Sequence, residues 1–348
     1  MKKKLFLPII FITFMLPLLF CGCNYGGDDN DYEPIYQDAI YIMDADGSNK
    51  QKVIDVDNCD NVQFIPNSNK LLYLADNSLY TVNEDGIDNT KISGNLEITN
   101  HLPVIKSDGQ MIALRFKYVD NTNIGLFDMV SSSFCYLSNK IRKEDYPTFS
   151  SNEEFITYAV RDTLNQPFYI AKLYVTTLLE NTIFSSTSLN SISETYLNNS
   201  SNKLYFTEAN YRGNASLIEY NLDNQTEITL SENPSIGHGN QTKFGEIYIA
   251  YQSYPDIGLY DLIYGSDLII EDGFWPDISI VAGNKILLVN ESFHLNYDSI
   301  IYLYNIDTFS QTELTTSGYR GMFSKDGSQI VYIGLYVTNP QSKNLITN

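Results

Sequence analysis

The sequence predicts an all-β fold, a β-propeller of seven four-stranded blades, and three observations support this. The 348 residues include 27 Tyr and 18 Phe, and 43% of the chain is apolar, which favours strands around a packed core. Short apolar runs alternate with turns rich in Asn, Asp, Gly and Ser, the pattern of β-hairpins. Pairs of these hairpins recur at roughly 40–45 residues, which is the spacing of propeller blades.

The first hairpin motif consists of a strand, a turn resembling Ser-x-Asp-Gly and a second strand. Its best copies are residues 104–114, with Ser107-Asp108-Gly109, and 322–332, with Ser324-Lys325-Asp326-Gly327. Degenerate copies occupy residues 64–73, 149–158, 196–206, 244–250 and 278–289.

A second hairpin motif follows each copy of the first. Clear copies are residues 40–48, 79–86 and 301–307, and others begin near residues 124, 173, 217 and 257. Each repeating unit therefore contains four strands, as a propeller blade does.

The ends of the repeat region indicate how the ring closes. The chain begins with the second motif, at residues 39–54, and ends with the first, at residues 318–333. Together they form one composite blade, which with six internal units makes seven. The degenerate unit at 232–273 and a candidate extra strand at 335–338 leave six or eight blades as alternatives.

These motifs also carry a family resemblance. Residues 40–49 and Phe323-Ser324-Lys325-Asp326-Gly327 closely resemble the WD40-like (PD40) repeats of TolB-type β-propellers. The resemblance covers residues 39–333 and implies a TolB-like propeller domain at 39–348. It does not imply Tol–Pal function, because TolB carries an α/β domain before its propeller and only a short segment precedes Ala39 here.

The N-terminus has the pattern of a bacterial lipoprotein. Lys2, Lys3 and Lys4 precede a 16-residue apolar stretch, which is short for a membrane span and typical of a signal peptide. The stretch ends in Cys21-Gly22-Cys23, which resembles a lipobox. We expect a signal peptide at 1–22 and lipid on Cys23, with Cys21 as the alternative acceptor. Residues 23–38 then form a flexible acidic tether.

Charge and location restrict the partners. Lys and Arg number 22 against 42 Asp and Glu, and a net charge of −20 repels nucleic acid. The lipid predicts attachment to the bacterial cell envelope, on the periplasmic or the surface face. We therefore expect a membrane contact through the lipid and no nucleic-acid partner.

Motifs for catalysis and cofactors are missing from the sequence. It has no Gly-x-Ser-x-Gly, His-Glu-x-x-His, Cys-x-x-Cys or phosphate loop, so we expect neither an enzyme nor a cofactor. The three histidines, His101, His238 and His294, are too few for a His-rich metal centre, and we expect no metal site. Cys59 and Cys135 are expected to be separate free thiols.

One set of positions is a candidate binding site. By the family geometry, the residue three positions before each first-strand anchor lies at the mouth of the central channel. These residues are Asn61, Leu102, Tyr146, Ser193, Trp275 and Arg320. Tyr146, Trp275 and Arg320 are the candidate ligand-binding residues, because aromatic rings bind sugars or side chains and a guanidinium binds carboxylates. The alternative is that Tyr146-Pro147 and Trp275-Pro276 pack between blades.

The sequence therefore predicts a lipoprotein whose propeller is a non-catalytic binding or scaffolding module for a protein or peptide. A surface carbohydrate-binding lipoprotein is the second hypothesis. A lyase or glycosidase that acts on polysaccharides through carboxylates is the third.

Overall fold

The computed structural model describes most of the region predicted to form the propeller. The described residues are 35–99, 101, 103–137, 142–150, 152–186, 189–198, 200, 202–210, 215–233, 242–244, 248–253, 256–270, 274–279, 285–290 and 299–338. Within them, the regular secondary structure consists of 28 β-strands, β1 to β28, in seven four-stranded antiparallel sheets.

Six sheets are formed by consecutive strands and are numbered here as blades 1 to 6. Blade 1 contains β3 (Cys59–Phe64), β4 (Lys70–Ala75), β5 (Ser78–Asn83) and β6 (Thr90–Lys91). Blade 2 contains β7 (Val104–Ile105), β8 (Met111–Tyr118), β9 (Asn121–Asp128) and β10 (Ser133–Tyr136). Blade 3 contains β11 (Lys143–Phe149), β12 (Phe155–Arg161), β13 (Tyr169–Tyr174) and β14 (Glu180–Ser185).

The remaining blades follow the same order. Blade 4 contains β15 (Ser191–Leu197), β16 (Lys203–Ala209), β17 (Ala215–Asn221) and β18 (Thr226–Asn233). Blade 5 contains β19 (Thr242–Phe244), β20 (Tyr248–Ser253), β21 (Asp256–Asp261) and β22 (Ser266–Ile270). Blade 6 contains β23 (Phe274–Ser279), β24 (Lys285–Asn290), β25 (Ile300–Asn305) and β26 (Ser310–Thr315).

Blade 7 is the composite blade that the sequence predicts. It combines β27 (Gly318–Phe323) and β28 (Gln329–Thr338) with β1 (Ile35–Asp44) and β2 (Gln51–Val56), in the spatial order β27-β28-β1-β2. The pairing of β1 with β28 runs without a break from Ile35 opposite Thr338 to Asp44 opposite Gln329. The two chain ends of the repeat region therefore close the ring in one sheet.

The same pairing accounts for two differences from the sequence-based boundaries. Residues 335–338 are the end of β28 and not a strand of an eighth blade. The first strand begins at Ile35, four residues before the expected start of the propeller, because each of these residues has a partner on β28. The fold is a seven-bladed propeller, as predicted.

Buried apolar clusters join every pair of neighbouring blades and complete the ring. Each cluster combines side chains from two adjacent sheets, so the core is divided among seven interfaces. Representative pairs are Val62 and Val331 (blades 7 and 1), Leu72 and Ile112 (1 and 2), Ala113 and Ile156 (2 and 3), Ala159 and Phe206 (3 and 4), Leu217 and Ile249 (4 and 5), Ile257 and Ile286 (5 and 6), and Ile301 and Ile330 (6 and 7).

The first strands of the blades line the central channel. Among the described residues, β27 contacts β3, β7 contacts β11, β11 contacts β15, and β23 contacts both β19 and β27. Since neighbouring strands are antiparallel, the links between blades and the turns between second and third strands lie at one end of the ring. We call this end the entry face, because the first strands begin there.

The Asp-Gly turns lie at the opposite end and are built by local hydrogen bonds. In each of three such turns, an Asp side chain accepts a hydrogen bond from the backbone N–H two residues later. These pairs are Asp46 with Ser48 at 2.9 Å, Asp108 with Gln110 at 2.8 Å and Asp326 with Ser328 at 3.0 Å. The intervening Gly47, Gly109 and Gly327 have positive φ, which explains the repeated Asp-Gly pattern.

The predicted anchor region lies outside the described residues. This holds for the signal peptide at 1–22, for Cys21 and Cys23, and for the tether as far as residue 34. Among the residues that are described, no helix has the length and apolar character needed to span a bilayer.

Candidate binding site

The candidate positions lie in β-bulges on the first strands. In β11 the pairing with β12 shifts between Asp145 and Thr148, and in β27 the pairing with β28 shifts between Tyr319 and Met322. Tyr146 and Arg320 lie within these irregular segments, and both have a φ of +55°. Trp275 occupies the same place in β23, where the register shifts between Phe274 and Asp277. The description of Trp275 is limited to its backbone.

The structure corrects one member of the predicted ring. The sequence alignment placed Ser193 at this position, with Tyr196 as the anchor of β15. The bulge in β15 instead holds Glu194, whose φ is +49°, so Leu197 is the true anchor. The aromatic Tyr196 resembles the anchors Phe149 and Phe323, whereas the register shows that Leu197 takes their place, and this produced the shift of one position.

The backbone at these positions is strained. An L-residue other than Gly in the left-handed region costs roughly 1–3 kcal/mol. Tyr146, Glu194 and Arg320 adopt this conformation at equivalent places in three blades. Backbone strain of this kind clusters at binding and active sites.

Tyr146 is part of a group of side chains from blades 2 and 3. Its ring makes an edge-to-face contact with His101, with 5.2 Å between centroids. Arg115 Nη1 lies 3.1 Å from His101 Nε2 and donates to Asp145 Oδ1 at 2.6 Å. We call His101, Arg115, Asp145 and Tyr146 the mouth cluster. His101 precedes β7 on the entry face, so the cluster lies on that side of the channel.

Further contacts fix the positions of the charged groups in the mouth cluster. Arg115 Nε donates to Thr99 Oγ1 at 2.8 Å, and Lys143 Nζ lies 3.0 Å from Asp145 Oδ2. Thr122 Oγ1 donates to Asp145 Oδ1 at 3.3 Å. Asp145 is almost fully buried. Its partners come from both blade 2 and blade 3. Such pairing is what a buried carboxylate requires.

Burial and charge keep His101 and Tyr146 uncharged at neutral pH. Burial and the guanidinium of Arg115 lower the pKa of His101 to about 4. Burial raises the pKa of Tyr146, and the carboxylates of Asp145 and Glu194 raise it further. Both side chains are therefore neutral hydrogen-bonding groups, while Arg115, Lys143 and Asp145 carry charge.

Arg320 lies on the composite blade, next to blade 1. Its Nη1 is 3.4 Å from Asn61 Oδ1, so two of the predicted ring residues meet directly. Burial raises the pKa of Asp60, while the nearby Arg320 acts in the opposite direction. After burial and the larger effect of Arg115, the charge of Arg320 also lowers the pKa of His101.

The packing alternative for Tyr146 is also visible. Its ring contacts the apolar cluster between blades 3 and 4, and its carbonyl oxygen accepts a hydrogen bond from Thr195 Oγ1 at 3.4 Å. Tyr146 therefore joins two blades and contacts His101 at the same time. Leu102 lies outside the described residues.

A buried ion network holds β11 in place beside the mouth cluster. Arg142 Nε donates to Glu144 Oε1 at 2.6 Å, and Nη1 donates to Glu180 Oε1 at 2.9 Å. Glu144 also accepts from the backbone N–H of Ile124 at 2.8 Å, and Tyr158 donates to Glu180 at 2.6 Å. These bonds satisfy the charges and fix the strand that carries Asp145 and Tyr146.

Sequence reasoning missed Arg115 and Asp145. Arg115 interrupts the apolar strand Met111–Tyr118, and Asp145 directly precedes the ring residue Tyr146. A charged residue within a strand that is otherwise buried indicates a specific partner. That indication could have selected Arg115, but only the fold shows that its partner lies on the next blade.

The other candidate sites give simpler results. Within the described residues, no group of three or more His, Cys, Asp and Glu side chains could hold a metal ion. His238 and His294 lie outside those residues. Cys59 is a buried free thiol and Cys135 an exposed one.

Fold and closure define the class of protein, a seven-bladed β-propeller. Its structure is similar to that of a TolB protein from Agrobacterium tumefaciens, with 14% identity and a TM-score of 0.54 over 87% of this chain and 100% of that one. The resemblance seen in the repeats is thus confirmed for the fold. No family model matches the chain, and no curated protein sequence does either.

Two enzymes have similar structures. One is an oligogalacturonate lyase from Vibrio parahaemolyticus, with 12% identity and a TM-score of 0.62 over 87% of this chain and 98% of that one. The other is a puromycin-hydrolyzing peptidase from Mycobacterium tuberculosis, with 10% identity and a TM-score of 0.60 over 80% of this chain and 52% of that one. At these identities the likeness establishes the fold, and function must be argued from the site.

Proposed function

We propose that this chain is a lipoprotein of the bacterial cell envelope, anchored through Cys23, whose propeller is a non-catalytic binding module for a protein or peptide. The observation that carries the proposal is the mouth cluster together with the strained ring positions. Tyr146 and Arg320 adopt equivalent backbone conformations at the same place in the first strands of different blades, and they supply an aromatic ring and a cation. Both residue types dominate the energy of protein recognition.

The chemistry of the cluster favours binding over catalysis. Arg115 and Lys143 are both paired with the carboxylate of Asp145 through short contacts, and the pKa of His101 is lowered to about 4, so its imidazole is neutral at pH 7. A general base works best with a pKa near the operating pH, which His101 does not have. The cluster is thus a set of fixed donors and an aromatic surface.

Carbohydrate binding is the second candidate. It is favoured by the structural similarity to an oligogalacturonate lyase and by Tyr146 and Trp275 on one ring of positions. In this case Tyr146 and Trp275 would stack against sugar rings. A carbohydrate ligand would require Trp275, whereas a peptide anchored by Arg320 and Tyr146 would depend on it less.

The binding test compares variants of residues 23–348 against panels of short peptides and neutral oligosaccharides, first by thermal shift and then by calorimetry. A ligand that binds the folded state raises its melting temperature. We expect a peptide to bind, and Tyr146→Ala and Arg320→Ala to weaken it about 30-fold each, the effect of losing about 2 kcal/mol. Tyr264→Ala is the matched control, since Tyr264 is 82% exposed in the turn after β21, at the opposite end of the ring.

Equal effects of all three variants would contradict a site at the channel mouth. Binding of oligosaccharides alone, lost in Trp275→Ala, would establish the second candidate instead. Both outcomes are read on variants whose melting temperatures match that of the parent chain.

The anchor has a separate test. A clickable fatty acid fed to a bacterial host that expresses the full chain should label the parent protein and Cys21→Ser. It should not label Cys23→Ser. Labelling that is lost in Cys21→Ser and retained in Cys23→Ser would move the anchor to Cys21.

A further inference from the structure

The direction of β1 fixes the end of the ring at which the chain enters the propeller. In the composite blade β27 starts at the entry face, β28 runs back to it, and β1 starts there, with Ile35 opposite Thr338. Strand β28 continues four residues beyond Gly334, the partner of Gly318 at the start of β27. The start of β1 and the end of β28 therefore lie beyond the first strand, on the entry face.

Hydrogen bonds connect the start of β1 to the candidate binding positions. Tyr319, the residue before Arg320, donates from its hydroxyl to Asp38 Oδ1 at 3.0 Å. Asp38 Oδ2 accepts from the backbone N–H of Cys59, the first residue of β3, at 3.1 Å. Ile35 stands three residues before Asp38, which is about 10 Å along a strand, and β1 lies two strands, or about 10 Å, outward from β27. The chain thus enters the ring within about 20 Å of the backbone of Arg320.

The lipid that we expect on Cys23 is attached a short way before this point. Twelve peptide bonds join Cys23 to Ile35. A chain of this length spans at most about 40 Å, and a flexible one has a root-mean-square span of about 20 Å. The second strands of blades 1 to 6 have six to eight residues, which separates the two faces of the ring by about 20–25 Å. The tether would need almost its full length to run back along blade 7 and bring the opposite face to the bilayer, so its average span favours the entry face.

We propose that the mouth of the channel faces the membrane that carries the lipid, and that its partner is a polypeptide segment displayed at that membrane surface. The inference rests on the proposed anchor and on the proposed peptide binding, and it specifies where the partner is held. A segment carried by a protein of the same membrane is concentrated in the gap between the ring and the bilayer. A large soluble partner must first move the ring away from the bilayer.

The first experiment measures the orientation of the ring and requires no partner. Residues 23–348 with the substitution Cys135→Ser are coupled through Cys23 to a maleimide lipid in phosphatidylcholine vesicles, since Cys59 is buried. A dye on a clickable amino acid at position 119 or 87 then transfers energy to an acceptor lipid. Val119 is 63% exposed between β8 and β9 on the entry face, and Ile87 is 60% exposed between β5 and β6 at the opposite end.

We expect energy transfer from position 119 to be at least about twofold more efficient than from position 87, because the two turns lie about 20 Å apart along the axis of the ring. Equal transfer, or stronger transfer from position 87, would overturn the inference. The lipid is attached chemically in this experiment, so the result does not depend on whether a cell attaches lipid to Cys23.

The second experiment determines from which side a peptide reaches the mouth. A peptide that binds in solution is attached to a lipid of the same vesicles through a Gly-Ser linker of about 5 or about 40 residues, with root-mean-square spans of about 12 and 35 Å. We expect the short linker to give binding at least as tight as the long one, because effective concentration falls as a linker exceeds the distance it must span. Arg320→Ala should weaken both about 30-fold, as it does the free peptide.

Binding through the long linker alone would overturn the inference and leave peptide binding intact, because the mouth would then face away from the bilayer. Binding through the short linker that survives in Arg320→Ala would place the contact outside the mouth and would overturn it as well. Failure of every peptide in solution would contradict the proposed function itself, whereas the orientation is decided by the energy transfer alone.

Discussion

At the entry face, the fold changes the acid–base behaviour of His101. Its ordinary pKa of 6.5 falls to about 4 because of burial and the guanidinium of Arg115. Between these two values the unfolded chain binds a proton that the folded chain does not. The free energy of unfolding therefore decreases as the pH falls through this window and is fully retained above it.

We expect this one residue to remove at most about 3 kcal/mol between pH 7 and pH 4, from the size of the pKa shift. Urea unfolding of the parent chain and of His101→Gln at pH 7 and pH 4.5 measures the effect. The variant cannot titrate at this position, so its stability should fall less. Equal losses in both proteins would show that His101 is not the group responsible.

Where the repeat is regular, the sequence predicts the position of a residue within its first strand. Tyr146 and Arg320 were found because each stands three positions before a clear anchor, Phe149 or Phe323. Glu194 was missed because the anchor of β15 is Leu197, one residue beyond the expected Tyr196. Tyr196 and Leu197 are both suitable residues for a strand, and only the register of β15 with β16 shows which of them matches Phe149 and Phe323.

The contacts within the mouth cluster could not be predicted from the sequence, for another reason. Arg115 and Asp145 are thirty positions apart, on a second strand and on the next first strand. Their contact depends on the angle between two blades. Strand patterns predict which residues face a neighbouring sheet, but not which of them meet.

At the scale of the elements, the tight turns connect neighbouring blades as well as neighbouring strands. Gly109 in the turn after β7 has a φ of +76°, and a Cβ there would lie 2.3 Å from the carbonyl oxygen of Pro66 on blade 1. This close approach and the positive φ together require a glycine at position 109. Gly94 has a similar φ of +58°, but no atom lies within 4 Å of its Cβ position.

Alanine substitutions at these two glycines distinguish the cost of backbone strain from the cost of close contact between blades. Gly94→Ala should cost about 1 kcal/mol, which is the cost of the left-handed conformation alone. Gly109→Ala should cost more than about 2 kcal/mol, because the backbone of one blade must also move. Urea unfolding of both variants measures the difference. Equal losses would mean that the turns are not in tight contact.

The number and type of the elements followed from the sequence because each strand repeats the same local pattern. Blade 5, the degenerate unit at 232–273, still forms four strands. Its second strand keeps a feature of the repeat, because Tyr251 stands at the position that Tyr73 and Tyr332 occupy in blades 1 and 7. Tyr251 packs over Gly258, and its hydroxyl donates to Asp267 at 2.7 Å.

At the scale of the whole molecule, the ring has no separate core. Each blade is stabilised by its two neighbours through an apolar cluster, so losing one interface exposes two sheets. Closure between β1 and β28 is consequently the contact on which the cooperativity of the whole ring depends. Pairing of the first and last strands distinguishes closed repeat proteins from open repeat arrays.

Two truncations test the role of this closure. A chain that begins at Ile35 keeps all of β1, so its unfolding midpoint in urea should equal that of residues 23–348.

A chain that begins at Ala45 lacks β1, which buries Ile40, Ile42 and Met43. Burial of each large apolar side chain contributes about 1.5–3 kcal/mol, and whole domains are stable by only about 5–15 kcal/mol. Since β2 would also lose its partner β1, we expect the shorter chain to show no cooperative transition. Cooperative unfolding of that chain at the parent midpoint would show that the ring does not depend on the composite blade.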